Sequence, residues 1–426
     1  MTERLGNAAR DTFRSLHIRN FRLFFTGQLV SQTGTWLTMV AQTLLVLKLT
    51  GSGVAIGLLT ACQFLPVLVL GAWAGSVADR SDKRRLLVWT QAGAMAQSLV
   101  LAAVVFSGHA TVGAIYALAL VQGVLTAFDN PARRAFVVEM VPTDMVANAV
   151  SLNSAVMTGS RVVGPALAGV LVITVGFGWA FLLDGLSYIA VLAGLLLMRP
   201  ADLHSVPPGA RGRGQVRAGL RYVRSQPDLL VPLIMMAAVG TFAFNFQVTI
   251  PLLVTGPLGG GDGTFTILFS VLSLGSMLGA LWTARRTEVT NHQIVVAAAG
   301  FGVSMLGLAV VPGLWAAFPV AVALGVASIA FMTTSTAIVQ MRAAPEYRGR
   351  VLALQAMVFL GSTPIGGPVV GWVSDTAGPR AGIALGGVAC LAAAAWASRA
   401  LGRAGGVDAT DPAAQVAEDQ AVTLAD

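Results

Sequence analysis

The chain has 426 residues, of which 55% are hydrophobic and 11% are charged, and its formal net charge is +8 at pH 7. That length would allow two or three soluble domains. Long runs without Asp, Glu, Lys or Arg exclude a soluble protein. These charge-free runs cover residues 23–47, 49–78, 86–128, 229–261, 263–284, 293–341 and 351–374.

The charge-free runs predict membrane-spanning helices, each of which needs about 20 apolar residues at a rise of about 1.5 Å per residue. The two longest runs, 86–128 and 293–341, each hold two helices, with breaks near Gly108 and at Pro312. Each helix satisfies its own backbone hydrogen bonds, as the bilayer requires.

Two further helices carry a single internal charge. Arg161 lies within residues 147–173 and Asp184 within residues 178–198, and a last helix covers residues 381–400. We therefore expect an all-α membrane protein with twelve transmembrane helices, called spans 1 to 12, in two six-helix pseudo-symmetric halves.

The basic residues are distributed in a way that predicts orientation in a membrane rather than nucleic-acid binding. All 27 Lys and Arg residues except Lys48, Arg161 and Arg380 lie at the chain ends, in even-numbered connections or beside them. By the positive-inside rule, both termini and all even connections should be cytoplasmic, in a bacterial plasma membrane. The first ten residues are of mixed polarity and contain no small-residue cleavage site, so no signal peptide is predicted.

Composition divides the chain into four parts. Residues 1–198 form an N-terminal half, residues 228–400 a C-terminal half, and residues 401–426 a polar tail that we expect to be disordered. Residues 199–227 form a predicted cytoplasmic linker. Its last part, Gln215–Gln226, alternates apolar residues with Arg and predicts an amphipathic helix, which lies either on the membrane surface or in solvent between the halves.

The second half repeats the first at a nearly constant offset. Four positions on span 5 recur 202 residues later on span 11: Asn153, Gly159, Gly164 and Gly169 correspond to Gln355, Gly361, Gly366 and Gly371. Gly71 and Gly75 recur 204 residues later as Gly275 and Gly279. Glycines are common wherever membrane helices approach closely. Parallel repeats of six helices predict a pseudo-twofold axis along the membrane normal, with a central cavity between halves that rock against each other.

Charge is concentrated in the turn "GSVADRSDKRR", residues 75–85, where six of the seven residues from Asp79 to Arg85 are charged. This turn resembles the signature between helices 2 and 3 of the major facilitator superfamily. The matching residues are Gly75, Asp79, Arg80, Arg84 and Arg85. Asp82 departs from the pattern, since a glycine is frequent at its position.

Three other stretches resemble one branch of that superfamily. They are "NFRLFFTGQLVSQTGTWL", "FDNPARRAFVVEMVP" and "SRVVGPALAGVL". The branch contains enterobactin exporters and macrolide efflux pumps, and it generally exchanges protons for an exported organic compound. The resemblance covers essentially the whole chain and does not identify a substrate.

The resemblance also implies a conformational latch at the charged turn. Asp79 would lie against the N-terminus of span 11, near Gly349 and Arg350, where free N–H groups favour an anion. One basic residue of the turn would pair with an acid at the cytoplasmic end of span 4, and Asp129 fits. These pairs would hold the halves together while the cavity faces outward. Alternatively, the positive charge of the turn only sets orientation.

Arg161 lies about 20 Å along span 5, close to the middle of the membrane. A charge there costs several kcal/mol unless it is paired or hydrated. We expect it to line the cavity and respond to proton or substrate; the alternative is a structural Arg bonded to backbone carbonyls. The residues that follow, Gly164, Pro165 and Gly169, match the antiporter-type helix 5 pattern of the superfamily.

Few acids are available to carry a proton. Asp184 lies roughly 9 Å from the outer end of span 6 and could accept a proton from outside, or it could cap or hydrate the helix end. Asp129 is the other acid that lies in or beside a predicted helix of the first half, and the latch accounts for it. No acid lies within the predicted spans of the second half.

Polar, aromatic and Met side chains on the predicted spans are candidates for a cavity that binds a bulky, moderately polar molecule. Helix–helix hydrogen bonding is the alternative role for the polar members of this set. The candidates are Gln28, Gln32, Thr35, Trp36, Gln42, Gln122, Asn153, Met157, Phe242, Asn245, Phe246, Thr249, Gln355 and Phe359.

The sequence therefore predicts a secondary transporter that exports a small amphipathic compound by proton-coupled alternating access. It would be a monomer in the lipid bilayer, with a proton gradient as energy source and no cofactor, metal or nucleic acid. An uncoupled facilitator or importer, or a non-transporting receptor of the same fold, is the alternative. Enzyme activity is not expected, and no phosphate-binding Gly-x4-Gly-Lys-Ser/Thr motif is present to support ATP-driven transport.

Overall fold

The computed structural model describes residues 12–204, 215–284 and 290–408, with the backbone alone for residues 215–218, 284 and 402–408. The described part is built of helices and contains no strand. Twelve helices, α1 to α12, follow the predicted spans 1 to 12. Their bounds are α1 Arg19–Thr50, α2 Gly53–Arg80, α3 Lys83–Phe106, α4 Val112–Glu139, α5 Val146–Thr174, α6 Phe177–Leu196, α7a Pro227–Phe242, α7b Phe246–Thr255, α8 Asp262–Ala284, α9 Asn291–Val310, α10 Leu314–Arg342, α11 Pro345–Ala377 and α12 Pro379–Asp408.

Local chemistry sets the tight connections between successive helices. Gly51 ends α1 in the left-handed region at φ 64°, and Ser52 then accepts a hydrogen bond from the Ala55 amide to begin α2. Asp82 begins α3 in the same way by accepting from the Arg85 amide at 3.0 Å. These caps satisfy N–H groups that the first turn of a helix leaves free.

Eleven helices of the described part are long and apolar enough to cross a membrane, and α1 is the long helix that falls outside this set. Its Gln28, Gln32 and Gln42 side chains lower its hydropathy, yet all three are buried in the bundle. The α1 helix therefore crosses the membrane inside the protein, where neighbouring helices shield its polar side chains from lipid.

Large apolar side chains cover the outside of the bundle. Trp89 is 77% exposed and Trp315 is 76% exposed, which would be costly for a protein surrounded by water. The exposed tryptophans lie toward both ends of their helices, as in the aromatic belts that mark the two membrane–water interfaces. They are Trp73, Trp89, Trp282 and Trp396 toward one end of the bundle and Trp179, Trp315 and Trp372 toward the other.

The two ends of the bundle differ in charge. We call the end that contains Arg19, Lys83, Arg199 and Arg342 the basic end, and the opposite end, which contains Thr50 and Ala377, the far end. At the basic end, Asn20 and Arg199 exchange two hydrogen bonds that hold α1 to the end of α6. A salt bridge of 2.8 Å between Arg342 and Asp228 holds α10 to the start of α7a.

The repeat seen in the sequence corresponds to repeated contacts between helices. Gly164 of α5 lies against the Thr33 carbonyl of α1, and its counterpart Gly366 of α11 lies against the Thr241 carbonyl of α7a. A Cβ at either glycine would collide with the neighbouring helix. The same backbone approach is thus built twice, once in each half.

The repeat also holds for the contacts that join the halves. Gly169 of α5 lies against Thr266 of α8, and its counterpart Gly371 of α11 lies against the Gly53 carbonyl of α2. Close to the second contact, Gly57 packs on the Gly367 backbone. Each of these glycines lies in the part of its helix nearer the far end. The halves are therefore tightly packed at the far end of the bundle.

Glycines on the same helix faces have open space at the basic end. Leu68 of α2 contacts Gly361 of α11, and Gly71 and Gly75 lie three and seven residues further along the same face of α2. A Cβ at Gly71 or Gly75 would meet no atom within 4 Å, and the same is true of Gly349 near the start of α11. The facing surfaces of α2 and α11 therefore separate toward the basic end.

Replacing Gly371 with Val is expected to disfavour packing of the halves at the far end, because its side chain would collide with the Gly53 backbone. Overpacking of this kind costs about 1–3 kcal/mol. Spin labels on Thr50 and Thr376, which are exposed at the far end, should show a longer distance in the variant. Gly349→Ala is the matched control, since its Cβ has open space, and an unchanged label distance in Gly371→Val would contradict the role of this contact.

The linker and the tail differ in part from expectation. An amphipathic helix forms over Gln215–Arg224, and two of its apolar residues, Val223 and Tyr222, pack against the transmembrane helices. Val223 is fully buried against α7a, α10 and α11, and Tyr222 stacks on Tyr347 with ring centroids 4.3 Å apart. The predicted disordered tail is helical up to Asp408, because α12 continues that far. Residues 205–214 of the linker and 409–426 of the tail lie outside the described part.

Candidate functional site

A buried ion pair on α4 is the centre of a polar cluster inside the N-terminal half. Arg133 pairs with Asp129 one turn earlier, and both side chains are at least nine-tenths buried. The second oxygen of Asp129 accepts hydrogen bonds from Thr90 at 3.1 Å and from Gln91 at 2.7 Å, both on α3. A charge pair this far from solvent is stable only when further hydrogen bonds satisfy its remaining atoms.

The cluster continues onto α1 and α6 and lines a small cavity. The Gln32 amide faces Arg133, and with its oxygen turned toward the guanidinium it accepts a hydrogen bond of 3.0 Å from Nη2. Thr35 hydrogen-bonds to Tyr188 of α6 at 3.2 Å. Gln122 of α4 lines the same cavity, whereas Gln28 lies one turn before Gln32 and is buried beside the cluster.

Arg161 is exposed, although it lies about 22 Å from the start of α5 and so near the middle of the helix. Its guanidinium carbon lies over the Trp36 ring of α1, 5.0 Å from the centroid. One turn earlier, the Met157 sulfur contacts Arg133 at 3.9 Å. The α4 ion pair therefore has three further neighbours, Arg161, Met157 and Trp36. They lie on the side of the N-terminal half that α1, α4 and α5 form, which we call the cavity wall.

Asp184 is not part of this wall, which corrects its assignment to the cavity. The carboxylate is 2% exposed and lies over Gly34 on the side of α1 opposite to Trp36. Its Oδ2 accepts a hydrogen bond of 2.9 Å from Ser98 of α3. It does not cap or hydrate a helix end either, because it is enclosed between α1, α3 and α6.

Two other predicted cavity residues, Gln355 and Asn245, form hydrogen bonds inside the bundle. Gln355 is buried and donates to Ser335 of α10 at 2.9 Å. Asn245 is buried at the break between α7a and α7b, where its amide donates to the Thr241 carbonyl at 2.7 Å. Gln355 therefore has the alternative role of helix–helix hydrogen bonding, whereas Asn245 bonds within α7. Asn153 of α5 is half-buried.

The charged turn between α2 and α3 has different partners from those predicted. Lys83 pairs with Glu139 at 2.7 Å, and Arg84 donates to the Leu195 carbonyl at 2.7 Å and so caps the end of α6. Asp129 lies ten residues, or about 15 Å, before the end of α4, too deep to meet the turn. Its predicted pairing with the turn is therefore wrong in this conformation, and Glu139 takes that place.

The remaining residues of the turn are more exposed. Arg85 pairs with Asp82 at 3.4 Å, and Arg80 is exposed at the end of α2. Asp79 is half-buried on the last turn of α2. The facing helix α11 starts at Pro345, so Gly349 and Arg350 lie one turn inside it rather than at its N-terminus.

An acidic residue that the sequence patterns did not predict joins the halves at the far end. Asp375, near the end of α11, accepts hydrogen bonds from the Ser52 hydroxyl at 2.6 Å, the Gly53 amide at 2.5 Å and the Val54 amide at 3.0 Å. One carboxylate of the C-terminal half thus caps the first turn of α2 in the N-terminal half. The signal in the sequence is its position, directly after the charge-free run 351–374.

Replacing Asp375 with Ala is expected to weaken packing at the far end by about 0.5–2 kcal/mol, the usual cost of losing a helix cap. Asp375→Asn, which keeps an acceptor but loses the charge, should have a smaller effect. Distance distributions between labels on Thr50 and Thr376 would measure the fraction of molecules in which the far end is open. If neither variant had more molecules at long label distances than the wild type, the Asp375 cap would have no conformational role.

Comparison with known proteins identifies the family. The profile of transmembrane secretion effectors in the major facilitator superfamily matches residues 10–424. The chain belongs to this family. It is 24% identical to the staphyloferrin A transporter of Staphylococcus aureus over 84% of this chain and 90% of that protein. It is 21% identical to macrolide efflux protein A of Streptococcus pyogenes over 81% of this chain and 87% of that protein.

A solved structure shows the same fold. A bacterial homologue of the human lysosomal transporter Spinster, in an inward-facing and occupied conformation, superposes with a TM-score of 0.71 at 17% sequence identity. The superposition covers 91% of this chain and 97% of that one. The protein is therefore a multi-pass bacterial membrane transporter of a small molecule, with the major facilitator fold, and not an enzyme.

Proposed function

We propose that this transporter exports a small amphipathic organic compound, such as a drug, a siderophore or a metabolite, in exchange for protons. The observation that carries this proposal is the difference between the two ends of the interface between the halves. Glycines pack at the far end, while Gly71, Gly75 and Gly349 face open space at the basic end. A transporter that works by alternating access needs one closed end and one open end in each of its main states.

By the positive-inside rule, the basic end would be cytoplasmic, and both termini would lie on the cytoplasmic side. The conformation described above would then take up its substrate from the cytoplasm. Asp79 would act in the opposite state, in which the basic ends of α2 and α11 approach and its carboxylate meets the free N–H groups at the start of α11. Asp375 would act as its counterpart at the outer end.

Two buried carboxyl groups are candidates for the proton carrier in this exchange. Asp129 pairs with Arg133 beside the cavity wall, so a proton on Asp129 would release a cation next to the substrate. Asp184 lies on the outer half of α6, enclosed between helices, and its Oδ2 accepts a hydrogen bond from Ser98. We favour Asp129, because its partner contacts Met157 and Gln32.

The proposal is tested in vesicles that contain the purified protein and carry an imposed pH gradient. We would measure movement of a panel of amphipathic compounds, beginning with a macrolide and a catechol siderophore. Movement that depends on the gradient is the expected result. Transport at the same rate with and without the gradient would indicate an uncoupled facilitator. No transport of any compound would favour a non-transporting receptor. Either result would contradict the proposal.

A further inference from the structure

The charges on the cavity wall do not cancel. Asp129 neutralises Arg133, and Asp184 lies on the opposite side of α1, bonded to Ser98. Arg161 therefore remains as an excess cation on this wall. Within the part of the chain that the structure describes, its guanidinium contacts the Trp36 ring, and no carboxylate pairs with it.

Such a cation near the middle of the membrane is costly unless water or an anion compensates it. The exposure of Arg161 allows a molecule between the two halves to reach it. Arg binds planar anions through two parallel N–H groups, and the Trp36 ring below the guanidinium restricts its orientation. This arrangement suits a carboxylate on a bound ligand.

The corresponding positions of the other half are aromatic and uncharged. At the repeat offset, Phe359 of α11 corresponds to Met157, and Thr363 corresponds to Arg161. Phe359 packs edge-on to Phe244 at the α7 break, with centroids 5.2 Å apart. Phe244 also lies next to Phe246, at 5.9 Å. The counterpart of the Arg161 cation is thus an uncharged Thr, one turn from an aromatic surface.

We infer that the substrate is an amphipathic organic anion, whose carboxylate binds Arg161 and whose aromatic or apolar body packs toward Phe359 and the α7 aromatic residues. This inference rests on the proposed function, since it assumes that the cavity between the halves receives the substrate. The inference narrows the substrate class to organic anions. Compounds whose only charge is positive should not be preferred ligands.

A matched pair of fluorescent probes tests the inference by binding alone. Dansylglycine carries a carboxylate, whereas dansylglycinamide has nearly the same shape and no charge there. We would titrate both into the protein in lipid nanodiscs and follow dansyl emission. The wild type should bind dansylglycine at least roughly tenfold more tightly, which is the effect expected of a charge-assisted hydrogen bond. Arg161→Gln should abolish this preference, and Arg161→Lys should keep part of it.

Lys48→Gln is the matched control, because Lys48 is a cation near the far end of α1, 5.6 Å from the Phe177 ring and away from the cavity wall. It should leave the preference intact. Equal binding of the two probes, no binding of either, or a preference that survives in Arg161→Gln would overturn the inference. Because binding needs no gradient, a carboxylate preference without transport would count against the proposed function and not against this site.

Discussion

Arg133→Met should lower the free energy of unfolding by about 3–5 kcal/mol and stop transport, because it leaves the Asp129 carboxylate buried without its cation. The Thr90 and Gln91 hydrogen bonds remain but cannot replace a full positive charge. Unfolding in mixed micelles by increasing denaturing detergent would measure the loss of stability.

Two further variants separate the ion pair from other effects of the substitution. Arg134→Met changes the neighbouring residue, which is exposed, and should alter stability by less than about 0.5 kcal/mol. The double variant Asp129→Asn, Arg133→Met should recover most of the lost stability, since it removes the buried charge together with its partner. A double variant as unstable as Arg133→Met alone would show that the pair is not the cause.

Asp79→Asn should abolish transport while expression and membrane insertion stay at wild-type levels. The reason is that the proposed latch forms when the basic ends of α2 and α11 approach, so its loss stops the transport cycle. Uptake into vesicles, normalised to the amount of inserted protein, is the measurement.

Asp82→Asn is the matched control for the latch, because Asp82 lies in the same turn, three residues after Asp79. Asp82 caps α3 and pairs with Arg85, both near the surface. Its replacement should cost no more than about 1 kcal/mol and leave transport intact. Normal transport by Asp79→Asn, or equal loss in both variants, would refute a specific latch at Asp79.

The sequence determined most of the fold, because the bilayer restricts spanning segments to long apolar helices. The charge-free runs predicted nine of the twelve helices, and the glycine offset predicted equivalent contacts at Gly164 and Gly366. The break in α7 was not predicted. It occurs at residues 243–245 inside an apolar run, where Asn245 bonds within α7 and lies against Gly366 of α11.

Side-chain partners were harder to predict than helices. Asp129 and Arg133 have the i, i+4 spacing of a helical ion pair, and that spacing was the available signal. The family pattern pointed instead to the turn at residues 79–85, whose lysine in fact pairs with Glu139. The surroundings of Asp184 were also not predictable. Its position in the sequence determines its depth in the membrane, but not whether it faces a cavity or a neighbouring helix.

Distances at both ends of one molecule test alternating access between the halves most directly. One label pair, Thr50 and Thr376, reports on the far end, and a second pair, Ser81 and Glu346, reports on the basic end, in a protein without Cys62 and Cys390. We expect a population with a short far-end distance and a long basic-end distance, and a second population, whose fraction changes with pH, in which the two are reversed. Two distances that lengthen together, or a single population at every pH, would contradict the account.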